Sequence, residues 1–197
     1  MVLGELISFC IPCGDRAHDL VKTMPYLLAA AENSPPVEIV IIDYNSREPV
    51  ADLFNGHPCR IERYEGRDHY HLAHAYNMAA LASTGDYITI MGADAVPADT
   101  FVTEARKLIA DGCVWMRGPY YKGILVCKRE EFIAAGGYDE RFEFYGGEDK
   151  ELEARLNRRG SKFGLMPKGL VRTIKTPNSQ KVKNYRLPLT KRQMMDR

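Results

Sequence analysis

The sequence has no long apolar run, almost no net charge and only five cysteines, an odd number spread over Cys10, Cys13, Cys59, Cys113 and Cys127. No stretch reaches the ~18 consecutive apolar residues that a bilayer-spanning helix needs. The opening Met1-Val2-Leu3-Gly4-Glu5 lacks the basic start and apolar stretch of a secretory signal, so a cytoplasmic location is expected. Scattered thiols in odd number fit a reducing compartment better than a disulfide framework. The 27 basic and 26 acidic residues nearly cancel. That excludes a nucleic-acid coat or a polyanion binder acting through the whole surface, and leaves such partners only local patches. What is present is a chain of 197 residues, 45% hydrophobic and 27% charged, enough to bury one full core.

Strand and helix patterns alternate along the first two thirds. Residues 6–12, 37–43 and 86–91 are short apolar runs rich in β-branched side chains, as in strands covered on both faces of a parallel sheet. Between the first two, Leu20, Val21, Met24, Leu27 and Leu28 recur at helical spacing over residues 16–33, with Asp15 as the expected N-cap and Pro25 as an expected kink. Helices are also expected over 71–83 and 98–110, stopped by Gly85 and Gly112, with a strand near 59–64. This order predicts an α/β fold, a mixed, mostly parallel open sheet flanked by helices, whose ligands sit beyond the carboxyl ends of the strands. Those ends read Cys13-Gly14-Asp15-Arg16, Asp43-Tyr44-Asn45-Ser46 and Gly92-Ala93-Asp94. A lone aspartate after a strand is commonly a turn or helix cap, but three at equivalent ends point to a shared site.

After Cys113 the pattern changes. Residues 113–128 read as an irregular strand pair with turns at Gly118-Pro119 and Gly123, followed by a short helix over 129–135. Then comes Gly136-Gly137-Tyr138-Asp139-Glu140-Arg141-Phe142-Glu143-Phe144-Tyr145-Gly146-Gly147-Glu148-Asp149, in which glycine pairs bracket aromatics and acids. The backbone must turn tightly there beside bulky groups. A helix over 148–159 closes the segment, with Leu152 and Leu156 inward, Glu151 and Arg155 as an i,i+4 pair and Gly160 as its stop. Acids in a first helical turn complement the dipole, which accounts for Glu148 and Asp149 but not for the glycines and aromatics before them.

Taken in order, Ile11-Pro12-Cys13-Gly14-Asp15-Arg16, Ile41-Ile42-Asp43-Tyr44-Asn45-Ser46, Asn77 ahead of Ser83-Thr84-Gly85-Asp86, Gly92-Ala93-Asp94 and the two glycine pairs resemble the GT-A glycosyltransferases. The closest resemblance is to inverting family-2-like enzymes and the galactosyltransferase C-terminal module. It implies a Rossmann-like domain that moves a sugar from a nucleoside diphosphate sugar, UDP-linked by preference, to an acceptor hydroxyl with inversion. By the same resemblance Asp94 is the metal acid for Mn2+ or Mg2+. Pro12, Arg16, Asp43, Asn77, Ala93 and Asp94 bind the donor nucleotide, Asp43 through a base N–H. Tyr145, Gly146, Gly147 and Glu148 bind the acceptor, a glycan or other hydroxyl-bearing molecule, and Asp149 is the general base. A sugar diphosphate brings about two negative charges, which a hard divalent ion on carboxylate oxygen offsets. The match departs from the family at Gly92, where the turn normally carries a first acid. It departs again at Val171-Arg172-Thr173-Ile174-Lys175, which lacks the histidine ligand of many members. Lys175 or Arg172 could then offset part of the diphosphate charge, or the chain could be a silent nucleotide-sugar-binding module.

The expected division is one domain over 1–167, nucleotide-binding to about 112 and acceptor-binding from 113, with a basic extension over 168–197. That extension holds nine basic residues against Asp196, leaving 18 basic and 25 acidic residues in the rest. It reads as a solvated tail or as a contact for an anionic surface, lipid or nucleic acid, with the protein then peripheral at a membrane. Two competing motifs remain. Cys10-Ile11-Pro12-Cys13 spells the C-x-x-C of thiol redox proteins, and His69, His71 and His74 are close enough for a metal cluster, though helix-start roles suit them better. Trp115 and the aromatics Tyr120, Tyr121, Phe142 and Phe144 are core by default, some available to stack on a sugar.

Overall fold

The computed structural model describes residues 4–119, 123–144, 146–175, 177, 182–185, 190 and 193–194. Its main sheet begins with β1 (Ile7–Cys13), β2 (Val37–Tyr44), β3 (Arg60–Tyr64) and β4 (Tyr87–Ile90), all mutually parallel in the order β3-β2-β1-β4. The sheet then turns mixed. β7 (Leu125–Lys128) runs antiparallel to β4, β6 (Trp115–Arg117) antiparallel to β7, and β8 (Phe163–Leu165) parallel to β6. A separate two-stranded sheet pairs β5 (Ala95–Pro97) with β9 (Val171–Thr173).

Every residue of β1 is buried, as expected for a central strand with helices on both faces. On one face lie α1 (Ala17–Asn33) and α3 (Phe101–Ala110), and on the other α2 (Leu72–Ala82), α4 (Arg129–Ala134) and α5 (Glu148–Arg158). Period-2 alternation assigns the strand residues: Ile7, Phe9, Ile11 and Cys13 join the α1 face, Cys10 the α2 face. α1 buries Leu20, Thr23, Met24, Leu27 and Ala30 at helical spacing and runs on through Pro25.

Three features differ from the sequence expectation. Asp15 does not cap α1; the N-cap is Arg16, and Asp15 sits at φ 51° with its carboxylate accepting from the Arg47 N–H at 2.8 Å. The short strands β5, β8 and β9 have too few residues to show a period. And β9 lies past residue 167, so the fold continues into the stretch read as a basic extension, with the Ile174 N–H donating to the Asp94 carbonyl at 2.9 Å. Among the described residues, no helix is long and apolar enough to cross a membrane.

Candidate active site

Asp43, near the end of β2, is 1% exposed and shares the α1 face with Ile39 and Ile41. Its Oδ2 accepts from Arg63 Nη1 at 2.7 Å and from the Val50 N–H at 3.0 Å, while Oδ1 is buried with no hydrogen-bond partner. A buried carboxylate oxygen without a donor is costly, so a ligand N–H reaching it would gain more than at a hydrated site. Arg63 is brought there by register, standing opposite Asp43 on β3. The two strand-end loops are tied together. The Asp15 N–H donates to Ser46 Oγ at 3.1 Å, Ser46 Oγ donates to the Cys13 carbonyl at 3.3 Å, and Arg63 Nη2 donates to the Ser46 carbonyl at 2.9 Å. Asp15 and Asn45 are non-glycine residues at positive φ, 51° and 53°, a conformation that tends to cluster at binding sites.

Two strands away, Gly92-Ala93-Asp94 forms the turn between β4 and β5, closed by the Ala95 N–H to the Gly92 carbonyl at 2.9 Å. At the usual strand spacing, β2 and β4 lie about 10 Å apart across β1. The 14–16 loop touches both ends, since Arg16 Nη2 donates to Asp94 Oδ2 at 3.1 Å. Arg16 is also fixed by the buried Asp19, with Nε donating to Oδ2 at 2.6 Å. Burial opposes the charge on this guanidinium, but Asp94 and Asp19 outweigh it and raise its pKa. Ala93 is buried, and its carbonyl accepts from Thr23 Oγ1 at 3.0 Å; Pro12 is buried inside β1.

A divalent ion would find one carboxylate here, that of Asp94. A Cβ built on Gly92 would meet Asp94 Oδ1 at 2.9 Å, so this carboxylate lies over the space that a side chain at 92 would enter. Among the described residues there is no group of three His, Cys, Asp or Glu side chains that could hold a metal. The donor set fits a hard ion only if substrate phosphates and water complete its shell, as is common for magnesium-type sites. Of the basic candidates nearby, Arg172 lies over the Tyr26 ring, 5.0 Å from its centroid, while Lys175 follows the residue bonded to the Asp94 backbone.

The second cluster lies on the α2 face, at the start of α5. Glu148 is 5% exposed, and its Oε2 accepts from the Gly146 N–H at 2.9 Å. Gly147, the N-cap at φ 95°, would drive a Cβ to 3.0 Å from Phe142, which explains a glycine at that point. Asp149 accepts from the Tyr138 hydroxyl at 3.3 Å and from the Gly123 N–H at 3.1 Å. Burial pushes its pKa up, against the pull of these two donors and Arg117. Burial also raises Glu148, with the neighbouring Asp149 adding to it. Arg117 is itself paired with Glu153 at 2.7 Å. A buried carboxylate, Glu148, and a partly buried one, Asp149, both with raised pKa beside a turn of tight backbone, are equipped to take a proton.

Other expected residues have different surroundings. The Asn77 side chain is committed to the turn before the acids: Nδ2 donates to the Tyr138 carbonyl at 2.9 Å and to Glu140 Oε1 at 3.0 Å, and Oδ1 accepts from the Tyr138 N–H at 2.8 Å. That places it at the 138–140 turn rather than at the strand ends. Tyr145, Tyr120 and Tyr121 lie outside the described residues, as do Lys181, Arg186, Lys191, Arg192 and Arg197 of the basic stretch. The histidines form no metal cluster. His71 caps α2, its Nδ1 accepting from the His74 N–H at 3.2 Å and its Nε2 lying 2.9 Å from the Glu140 carbonyl, and His74 Nδ1 lies 2.7 Å from the Tyr44 hydroxyl. The C-x-x-C reading also fails. Cys10 and Cys13 fall on opposite faces of β1, and burial pushes each thiol up to about 12. Sequence reasoning missed Arg63 and Tyr138 as partners of the acids, and Asp19 as the anchor of Arg16. Only the strand register of Arg63 and the helical spacing of Asp19 from Arg16 leave any trace in the sequence.

Comparison with known proteins agrees with this architecture. The sequence model of glycosyl transferase family 2 matches residues 8–146, and a model described as the N-terminal domain of galactosyltransferase matches residues 117–181. No relative among curated proteins matches the chain. Solved structures do. A mannosyltransferase from Pyrobaculum calidifontis, in complex with GDP-Man and Mn2+, superposes with a TM-score of 0.68 at 18% identity, covering 84% of this chain and 55% of that one. This chain therefore spans little more than half that enzyme's length. The catalytic domain of Drosophila beta1,4-galactosyltransferase 7 with xylobiose gives 0.65 at 17% identity, over 95% of this chain and 82% of that one. A mutant of the same enzyme with manganese, UDP-Gal and xylobiose gives 0.67 at 16%, over 94% and 76%. The fold shared with these structures is GT-A.

Proposed function

The chain belongs to glycosyl transferase family 2, and from that premise we propose that it transfers a sugar from a nucleoside diphosphate sugar, UDP-linked by preference, to an acceptor hydroxyl with inversion. The observation that carries the donor half is the buried, unpartnered Oδ1 of Asp43 at the end of β2. It supports an acceptor for the N–H of a nucleobase. Pro12, Ala93 and the loop at Arg16 line the same strand ends, and the part up to about residue 112 is the nucleotide-binding half.

In the acceptor half, from 113 on, Asp149 is the general base and Glu148 steadies the acceptor hydroxyl, with Gly146 and Gly147 lining the approach. Asp149 takes the hydroxyl proton as the oxygen attacks the anomeric carbon in line with the departing diphosphate, which inverts that carbon. A base of this kind contributes roughly 10²–10⁴-fold. Asp94 would hold a manganese or magnesium ion, which when bound offsets the charge of the leaving diphosphate. Asn77 keeps the Tyr138–Glu140 turn in place, and through it Tyr138 against Asp149.

A thermal-shift panel of nucleotides and nucleotide sugars, with and without manganese, tests the reading, since a ligand that binds only the folded chain raises its melting temperature. Stabilisation by UDP or a UDP-sugar is expected; no shift with any nucleotide would remove the donor assignment. Gly92 favours one second reading, a nucleotide-sugar-binding module without turnover. Donor-induced stabilisation with no transfer to any hydroxyl acceptor would select it.

A further inference from the structure

We propose that the metal site of this protein forms only when the donor arrives: Arg16 holds Asp94 until then, and the donor's diphosphate draws Arg16 from Asp94 and frees Asp94 for the ion. This rests on the donor-site reading above. Three observations carry it. The turn supplies one acid, because position 92 is glycine. That acid's Oδ2 is 3.1 Å from Arg16 Nη2, a contact in which the two side chains are only 13% and 17% exposed. And Asp94 Oδ1 leans over Gly92, 2.9 Å from where a Cβ would stand, in the room a second acid would need.

An ion approaching Asp94 therefore meets a carboxylate already neutralised by a guanidinium whose Nη2 also lies 2.5 Å from Asp19 Oδ2. It would have to displace that cation for one ligand. The diphosphate changes the balance. It is a stronger, bidentate partner for a guanidinium than one carboxylate oxygen, and it brings the oxygens that complete an octahedral shell. Nε and Nη2 both lie on Asp19 Oδ2, at 2.6 and 2.5 Å, so Arg16 stays anchored to Asp19 while the longer 3.1 Å contact of Nη2 with Asp94 is exchanged for the diphosphate. The exchange leaves each charge paired: guanidinium with phosphate, and ion between phosphate and Asp94. A turn with two acids would have no need of this order, since the pair alone can hold an ion.

Manganese binding to the full chain, followed by electron paramagnetic resonance of the free ion, tests the order directly. The expected result is negligible binding of manganese alone and stoichiometric binding in the presence of UDP or GDP, beyond what the nucleotide binds in a protein-free control. Manganese binding alone as tightly as with nucleotide would overturn the proposal. If neither nucleotide binds with or without manganese, by calorimetry, the donor reading itself fails and the proposal goes with it. Two variants sharpen the result. Arg16→Gln should bind manganese without nucleotide at least about tenfold more tightly than the parent, and Gly92→Asp should do the same by adding a second acid beside Asp94. If both variants remain folded and neither gains manganese affinity, Arg16 is not what closes the site.

Discussion

The acids of the two halves are kept in opposite ways. In the proposed donor half the two candidate carboxylates are each met by an arginine, Asp43 by Arg63 at 2.7 Å and Asp94 by Arg16 at 3.1 Å. In the proposed acceptor half Asp149 is met by a phenol and a backbone N–H, and Glu148 by a backbone N–H, with burial pushing the pKa of both upward. The difference matches the two tasks. A donor site handles a polyanion and needs cations at hand that can change partners. A base must be an ionised carboxylate that gains by taking a proton, which a desolvated site without a directly bonded cation provides.

The sharpest way to break this comparison is Asp149→Asn. The amide keeps the size and the acceptor oxygen but cannot take a proton, so transfer should fall by about 10²-fold or more while donor affinity stays near that of the parent. The same variant should melt no lower, and higher at neutral pH. Burial raises the Asp149 pKa in the folded chain, so its favourable contribution is present at low pH and lost as pH rises through the folded value. At neutral pH the folded chain therefore carries the cost of a buried charge, which asparagine removes. Full transfer by folded Asp149→Asn would move the base to Glu148 or Asp139. Next in size is Asp94→Asn, which should bind nucleotide in chelator at least as tightly as the parent but abolish the gain from manganese, about tenfold, in a calorimetric titration. Equal manganese enhancement in the variant would show that Asp94 holds no ion.

Most of the fold was legible because its strands are long and covered on both faces. β1, β2 and β4 are mostly apolar and buried, and the helix that follows β1 shows its period over 17 residues. β5, β8 and β9 are three residues each and are set by pairing, not by pattern. At the candidate site, strand ends and the glycine pairs single out Asp43, Asp94, Glu148 and Asp149 as candidates. Their partners were not legible. Arg63 reaches Asp43 through strand register and Tyr138 reaches Asp149 across a turn, both contacts that separation along the chain does not encode. Asp15 misled for a local reason: an aspartate before a helix suits a cap, but at φ 51° its side chain turns to Arg47 instead.

A smaller effect tests the phenol. The Tyr138 hydroxyl donates to ionised Asp149 and so pulls its pKa down against burial. Tyr138→Phe should therefore move the acid limb of the kcat/KM profile to higher pH, a few-fold loss on the limb that disappears on the plateau. A loss of the same size at every pH would mean that Tyr138 only packs, against Tyr76 and Phe132.

The smallest effect belongs to the thiols, and it checks that the donor half works through its carboxylates and arginines alone. Cys10 and Cys13 lie on opposite faces of a buried strand, so they cannot pair with each other while β1 is intact. Burial pushes both to about 12, as it does Cys127, so almost none is thiolate at neutral pH and none is a nucleophile. Native chain treated with iodoacetamide at neutral pH should be modified first at the half-buried Cys59, with Cys10 and Cys13 reacting only after denaturation. Cys13→Ala should transfer sugar at the parent's rate, because the side chain faces the core beneath α1 and not the ligand. Rapid labelling of Cys13 in the folded chain, or loss of transfer on labelling it, would mean that the loop from Cys13 to Arg16 opens far more than its hydrogen bonds to Ser46 and Asp94 allow.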